Sequence, residues 1–180
     1  MRGIYFEAKL LKGYTAEMEF LIREYDEKDR AELVRCLEEF QEYLVKVDTW
    51  KLTKKDIGFG EVYADWLLGY LPEIEGVLYL AEGDGKIVGL VAGGVRGLEA
   101  QERAGETVKS GRVHELYVDC DYRGQGIGKA LMNKMEDYLR SKKCEVLYVE
   151  VFAPNKNAHE FYHACGYADH DINLMKKLSA

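Results

Sequence analysis

Residues Tyr122 to Leu131 read YRGQGIGKAL. Glycines at 124, 126 and 128 alternate with other residues, Arg123 stands in front, Lys129 follows, and an apolar periodic segment begins at once. Glycines so spaced let the main chain approach a ligand and turn several N–H donors one way. A helix N-terminus behind them adds partial positive charge, which favours a pyrophosphate. Arg123 and Lys129 can place full charges beside it. The stretch reads as a strand–turn–helix junction that holds an anion.

Two common phosphate cradles are excluded by counting. A Walker A loop needs glycine five places before the glycine that precedes Lys129, but Arg123 stands there, and Ala130 replaces the hydroxyl residue that would reach magnesium. A dinucleotide fingerprint starting at Gly124 needs glycine or alanine at position 129, which is Lys129.

Working outward, RVHELYVDC (Arg112–Cys120) supplies the strand before the turn. A helix after it puts Ile127, Leu131, Met135 and Tyr138 on one side. EVLYVEVF (Glu145–Phe152) has the length of a buried strand. APNKNAHEFYHACGY is a short helix entered after Pro154 and closed by Gly166. INLMKKL can add a last strand. Upstream, FLIREYD (Phe20–Asp26) is a strand, with Asp26 as N-cap and Asp29 as its box partner. Leu33, Leu37, Phe40, Leu44 and Val47 then recur at helical spacing. Glu38, Glu39 and Glu42 fall off that stripe and read as a solvated face.

GEVYADWLLGYL is a second, aromatic-rich helix that ends before Pro72. GVLYLAEGDGKIVGLVAGGV is a hairpin turning at Asp84-Gly85. Arg96–Gly111, poor in apolar residues, reads as a mobile connection. The expected fold is a single α/β or α+β domain: a mixed, mostly antiparallel twisted sheet with helices on both faces. Residues 1–17 form an arm of unassigned role and 18–180 the domain.

The chain has 180 residues, is 47% hydrophobic and carries a net charge of -7, enough for one core and unsuited to a broad nucleic-acid footprint. An acidic surface would suit a cationic substrate. Cys36, Cys120, Cys144 and Cys165 lie far apart, make no metal-ligand spacing and read as reduced cytoplasmic thiols. The opening MRGIYFEAKLLKGYTA, broken by Glu7, Lys9 and Lys12, is not expected to act as a secretory leader. No apolar run approaches the ~20 residues that span a bilayer. No membrane, nucleic-acid or metal partner is expected, and a homodimer stays open.

ELYVDCDYRGQGIGKALM resembles the acetyl-CoA-binding motif of the GNAT superfamily of N-acetyltransferases. The motif's pattern [QR]-x-x-G-x-[GA] falls on Arg123, Gly126 and Gly128, and the common form R-G-x-G-[IL]-G matches directly as well. NKNAHEFYHACGY resembles the family's second signature at Asn155, Ala158, Phe161, Tyr162, Gly166 and Tyr167. The element order from Phe20 to Leu178 is similar to the family fold, so the resemblance covers about nine-tenths of the chain.

The resemblance implies transfer of an acetyl group from acetyl-CoA to an amine held in a ternary complex. Main-chain N–H groups of Arg123, Gly124, Gln125, Gly126, Ile127, Gly128 and Lys129 would hold the pyrophosphate. Leu116, Tyr117 and Val118 would pair with the pantetheine arm, and Asn155, Ala158 and Tyr162 would complete the cofactor side. Tyr162 corresponds to the family tyrosine that faces the sulfur, a suitable acid for the departing thiolate. Glu115, on the strand leading to the cofactor, is the candidate base. His114 should project to the opposite face by strand alternation.

His159 and His163 read as surface residues. The acceptor region is expected among Glu42, Tyr43, Trp50, Tyr63, Trp66 and the carboxylates near Asp171. Small amines, polyamines and peptide amines all remain open. The competing reading is a domain that binds acyl-CoA and regulates without turnover.

Overall fold

Helix α1 (Arg30–Val47) and helix α2 (Phe59–Tyr70) bury one apolar stripe each, and a sheet offers the surface that receives them. The computed structural model describes residues 4–5, 19–96 and 108–178. The chain divides into two units, residues 1–150 and 151–180.

Among the described residues of the first unit, six strands lie in sequence order: β1 (Ile4–Tyr5), β2 (Phe20–Glu24), β3 (Val77–Gly83), β4 (Lys86–Val95), β5 (Ser110–Val118) and β6 (Val146–Tyr148). All neighbours are antiparallel except β5 and β6, which run parallel. Within the arm read at 1–17, Ile4 and Tyr5 pair with Ile22 and Leu21.

The expected capping box forms. Asp26 accepts from the Lys28 N–H, and Asp29 accepts from the Asp26 N–H at 3.0 Å, opening a short 3₁₀ turn that leads into α1. Arg23 grips Asp29 with both terminal nitrogens, at 2.6 and 2.8 Å, so β2 sets the angle at which α1 leaves. The β3–β4 turn takes positive φ at both Asp84 (50°) and Gly85 (74°), the pair a type I′ hairpin requires.

Leu33, Cys36 and Leu37 of α1 and Ala64 and Leu67 of α2 pack with Leu78, Leu80, Leu90, Ala92 and Tyr117 on one sheet face. The other face receives helix α3 (Ile127–Ser141) through Ile127, Leu131, Met132, Met135 and Leu139. Leu139 joins that stripe at its end, and the expected Tyr138 meets the Tyr79 ring edge-on at 6.3 Å. Gly93 explains the fit: a Cβ there would meet the Arg112 carbonyl at 2.6 Å and the Met135 sulfur at 3.2 Å. Emptying a fully buried site such as Leu131 by substitution to Ala costs about 2–5 kcal/mol.

Four expectations change. The connection read at Arg96–Gly111 lies mostly outside the described residues, and its end is strand, because β5 begins at Ser110, which is buried. The strand read at Glu145–Phe152 shrinks to three residues. Its exposure (Val146 42%, Phe152 43%) suits the edge of the sheet rather than its middle. Residues 172–178 form no strand, and Ile172, Leu174, Met175 and Leu178 are all exposed.

The fourth change concerns the acidic stripe of α1, which is not merely solvated. Glu38 accepts from the Gly60 N–H at 2.7 Å, Glu38 and Glu42 both pair with Lys55, and Glu39 pairs with Arg35 and accepts from the Tyr117 hydroxyl. Those carboxylates hold the loop before α2 and the end of β5.

The second unit contains helix α4 (Lys156–Ala164). Asn155 caps it by accepting from the Ala158 N–H at 3.3 Å, and Gly166 (φ 93°) follows it in the left-handed region, as a C-terminal stop requires.

Candidate active site

Strand β5 carries the site of the first unit. It pairs with β4 along residues 111–118 but with β6 only at 110–112. From residue 113 onward its other backbone edge has no strand beside it among the described residues. An extended ligand can add there by main-chain hydrogen bonds. Leu116, Tyr117 and Val118 all lie along this edge.

At its end Asp119 caps a 3₁₀ turn, Cys120–Tyr122, by accepting from the Asp121 N–H. Arg123 then folds back: its Nε donates to the Val118 carbonyl at 2.9 Å and its guanidinium stacks on the Tyr43 ring at 4.9 Å. Gly124 (φ 77°) and Gly126 (φ 84°) follow in the left-handed region, where a side chain costs roughly 1–2 kcal/mol. Nothing lies within 4 Å of a Cβ built on either, so the space they face is open.

Gly126 is the N-cap of α3, and the helical ladder starts with the Ala130 N–H on the Gly126 carbonyl at 3.0 Å. The N–H groups of Ile127, Gly128 and Lys129 therefore have no carbonyl one turn back. Their residues fit an anion: several main-chain donors, an exposed Lys129 and room for the ligand. Gln125 is exposed, and its side chain turns back to the Asp121 carbonyl at 3.3 Å. Its contribution to the turn is its N–H.

Glu115 departs from the plain strand picture. The β4–β5 register slips where Ala92 faces Glu115 and Gly93 faces Val113, leaving His114 as the extra residue of a bulge. A bulge resets alternation. Glu115 accepts a short hydrogen bond from the Tyr63 hydroxyl of α2, and the His114 ring meets Tyr70 of α2 edge-on at 5.3 Å. Both neighbours thus reach α2, and the expectation that His114 projects away is corrected by the bulge.

Burial leaves Glu115 8% exposed and pushes its carboxyl up to about 7, against the opposing pull of the Tyr63 hydroxyl. Burial, with Glu115 beside it, holds the Tyr63 phenol well above its ordinary range. Burial also lowers His114, with Arg112 adding to the effect, which keeps its imidazole neutral.

Along α2 the rings of Phe59, Tyr63, Trp66 and Tyr70 follow one another at 5.1–5.2 Å, forming an aromatic wall beside Glu115. Tyr63 and Trp66 were expected near an acceptor; the sequence did not mark Phe59 or Tyr70. Their spacing in α2 was the available signal, since positions 59, 63, 66 and 70 share one helix face. Glu42 and Tyr43 are engaged elsewhere, with Lys55 and Arg123.

In the second unit Tyr162 lies between two edge-on rings, Phe161 at 5.2 Å and Tyr167 at 5.7 Å. Asn155 and Ala158 meet as a cap and the residue it caps. Asp171 accepts from His170 at 2.9 Å. His159 and His163, read as surface residues, converge on Asp169.

The first unit thus sets a glycine turn that opens a helix directly after a strand with a bare edge, and a buried carboxylate on that same strand. The chain belongs to the acetyltransferase (GNAT) family, whose profile matches residues 17–167. It is 29% identical over 167 residues to an uncharacterized N-acetyltransferase of Methanocaldococcus jannaschii, covering 91% of this chain and 64% of that protein's length. It is 27% identical to the thialysine N-epsilon-acetyltransferase of Bos taurus over 152 residues, 83% of this chain and 84% of the relative. A crystal structure of a mutant Bacillus halodurans protein shares the fold with a TM-score of 0.72 at 19% identity, over 88% of this chain and 99% of that one. No described helix is long and apolar enough to cross a membrane, and none of the four cysteines is in a disulfide.

Proposed function

We propose that this chain transfers an acetyl group from acetyl-CoA to a primary amine by direct attack in a ternary complex, with Glu115 as the general base. The observation that carries this reading is Glu115 itself: a carboxyl buried on a bulge, held by Tyr63, with its proton affinity raised to about 7. A base poised near neutral pH takes a proton from an ammonium group yet is ionised often enough to act.

Acetyl-CoA supplies an activated acyl thioester. The Arg123–Lys129 turn holds its pyrophosphate through main-chain donors, and the bare edge of β5 at Leu116, Tyr117 and Val118 takes the pantetheine arm. The Val118 N–H then serves as donor to the thioester oxygen as charge develops there. Glu115 removes the amine's proton, directly or through one water, because a protonated nitrogen has no lone pair for attack. Tyr162 returns a proton to the departing thiolate. Asn155 and Ala158 serve that side by fixing the start of the helix that bears Tyr162.

The acceptor is a cationic primary amine held against aromatic faces. Glu38, Glu39 and Glu42 are committed to Lys55, Gly60, Arg35 and Tyr117, which leaves the wall of α2 and Glu115 to recognise the amine. The bovine relative, named for the epsilon nitrogen of thialysine, agrees with an alkylamine acceptor. Incubation with acetyl-CoA and a panel containing thialysine, lysine, polyamines and peptide amines, read as free thiol, tests the reading. Thiol release with an alkylamine is expected. CoA binding without thiol release from any amine would replace catalysis by a sensing role.

A further inference from the structure

A second cluster lies in the C-terminal unit, made of residues that acetyl transfer does not use. His159 and His163 stand four residues apart on α4, so their side chains rise from one face of the helix. Tyr167 N–H closes on the Tyr162 carbonyl at 3.0 Å, and the left-handed Gly166 reverses the chain. Asp169 returns to that face. Its Oδ1 lies 2.6 Å from His159 Nε2 and 3.1 Å from His163 Nε2, and the two Nε2 atoms are 3.2 Å apart.

Three ligand atoms of matched type thus mark a small triangle. A zinc ion with bonds of about 2.0–2.2 Å to nitrogen and oxygen requires neighbouring ligand atoms roughly 3.0–3.4 Å apart, between octahedral and tetrahedral angles. Two edges already have that length. The third has the length of a direct hydrogen bond and opens by about half an ångström on metal binding, a movement that the exposed Asp169 side chain permits.

We propose that His159, His163 and Asp169 bind one divalent ion of the zinc class, with water completing the shell. Each imidazole ligates through Nε2 as its Nδ1–H tautomer, so a neutral ring releases no net proton and a protonated ring releases one. Two imidazoles and one carboxylate favour Zn²⁺ or Co²⁺ over Mg²⁺ and Ca²⁺, which take oxygen shells. The ion ties the segment after Gly166 to α4. It is a staple, and acetyl transfer needs no step through it.

The test uses the tag-free full chain, stripped with a chelator and titrated calorimetrically with ZnCl₂. Co²⁺ is added separately and read by its visible absorption. One ion per chain is expected, with no heat from MgCl₂ at equal concentration. His159→Ala and His163→Ala should each weaken zinc binding more than ~100-fold, beyond the ~10–100-fold that loss of an outer partner costs. His163→Gln serves if the Ala form loses helical circular dichroism. Absence of stoichiometric zinc binding, or unchanged affinity in both histidine variants, would overturn the proposal. The readouts require no acetyl acceptor, so this proposal and the acetyl-transfer reading fail separately.

Discussion

The glycine turn at Arg123–Lys129 and the wall between α2 and β5 belong to one unit and are built by opposite means. The turn is made of backbone: two left-handed glycines, a helix N-terminus and donors that any side chain leaves in place. The wall is made of side chains gathered from afar, and Tyr63 and Glu115, its central pair, stand 52 residues apart in the chain. A backbone site tolerates most side-chain changes and fails when a φ angle is denied. A side-chain site fails one group at a time, and its failures depend on pH.

The largest expected effect breaks the turn. Gly126→Glu forces a side chain into the left-handed region and places like charge on the pyrophosphate path, about 2–3 kcal/mol or ~10²-fold in CoA affinity. Gly126→Asn, which tolerates that φ, should lose only a few-fold, and Gln125→Ala almost nothing. Calorimetry with CoA on the folded variants checks the ranking. Equal losses for Gln125→Ala and Gly126→Glu would mean that side chains, not backbone, hold the ligand.

Tyr162→Phe comes next and concerns chemistry alone. Turnover should fall ~10²-fold while CoA affinity holds, as for loss of a general acid. Pre-steady-state thiol release is the direct readout, because slow product release can mask the step.

A smaller effect sharpens the wall. Tyr63→Phe removes the hydroxyl that opposes burial at Glu115, so its carboxyl should titrate above about 7. The pH–rate limb then moves to higher pH, and the rate at neutral pH falls roughly 3–10-fold, about one pKa unit at most. An unshifted limb would uncouple Tyr63 from the base.

The last effect is on stability rather than turnover. Glu115 titrates higher in the fold than in the unfolded chain, so burial costs nothing while it stays protonated below its unfolded value of 4.5. The cost accumulates as pH rises from there and is complete above about 7, where the fold must hold an ionised carboxylate. Glu115→Gln should therefore be more stable than the parent by about 1–3 kcal/mol at pH 8 and near parity at pH 4. Thermal melts at both pH values check the sign.

The same contrast decides what the sequence could reveal. The turn, the I′ hairpin, the Asp26–Asp29 box and the stripes of α1 and α3 are local patterns of spacing, and each forms near where it was read. The bulge at His114 is a property of the pairing between β4 and β5. No window around His114 contains it, which is why alternation misplaced that ring. The acidic stripe of α1 misled for a related reason: its partners Lys55, Gly60 and Tyr117 come from a loop, another helix and a strand. The triangle of His159, His163 and Asp169 needed the turn at Gly166 to close.

Glu115 as the base is the central claim, and the pH dependence of kcat/KM with an alkylamine tests it most directly. An ionised Glu115 takes the proton that the bound ammonium group gives up, so the reactive pair needs the loss of one proton, that of Glu115, below about 7. The parent should therefore rise with the loss of one proton below about pH 7 and level off above it, while Glu115→Gln, whose amine must lose its proton to solvent, should follow a single-proton slope throughout the neutral range at a lower rate. A parent profile without that break, or a Glu115→Gln variant that keeps it, would contradict the account.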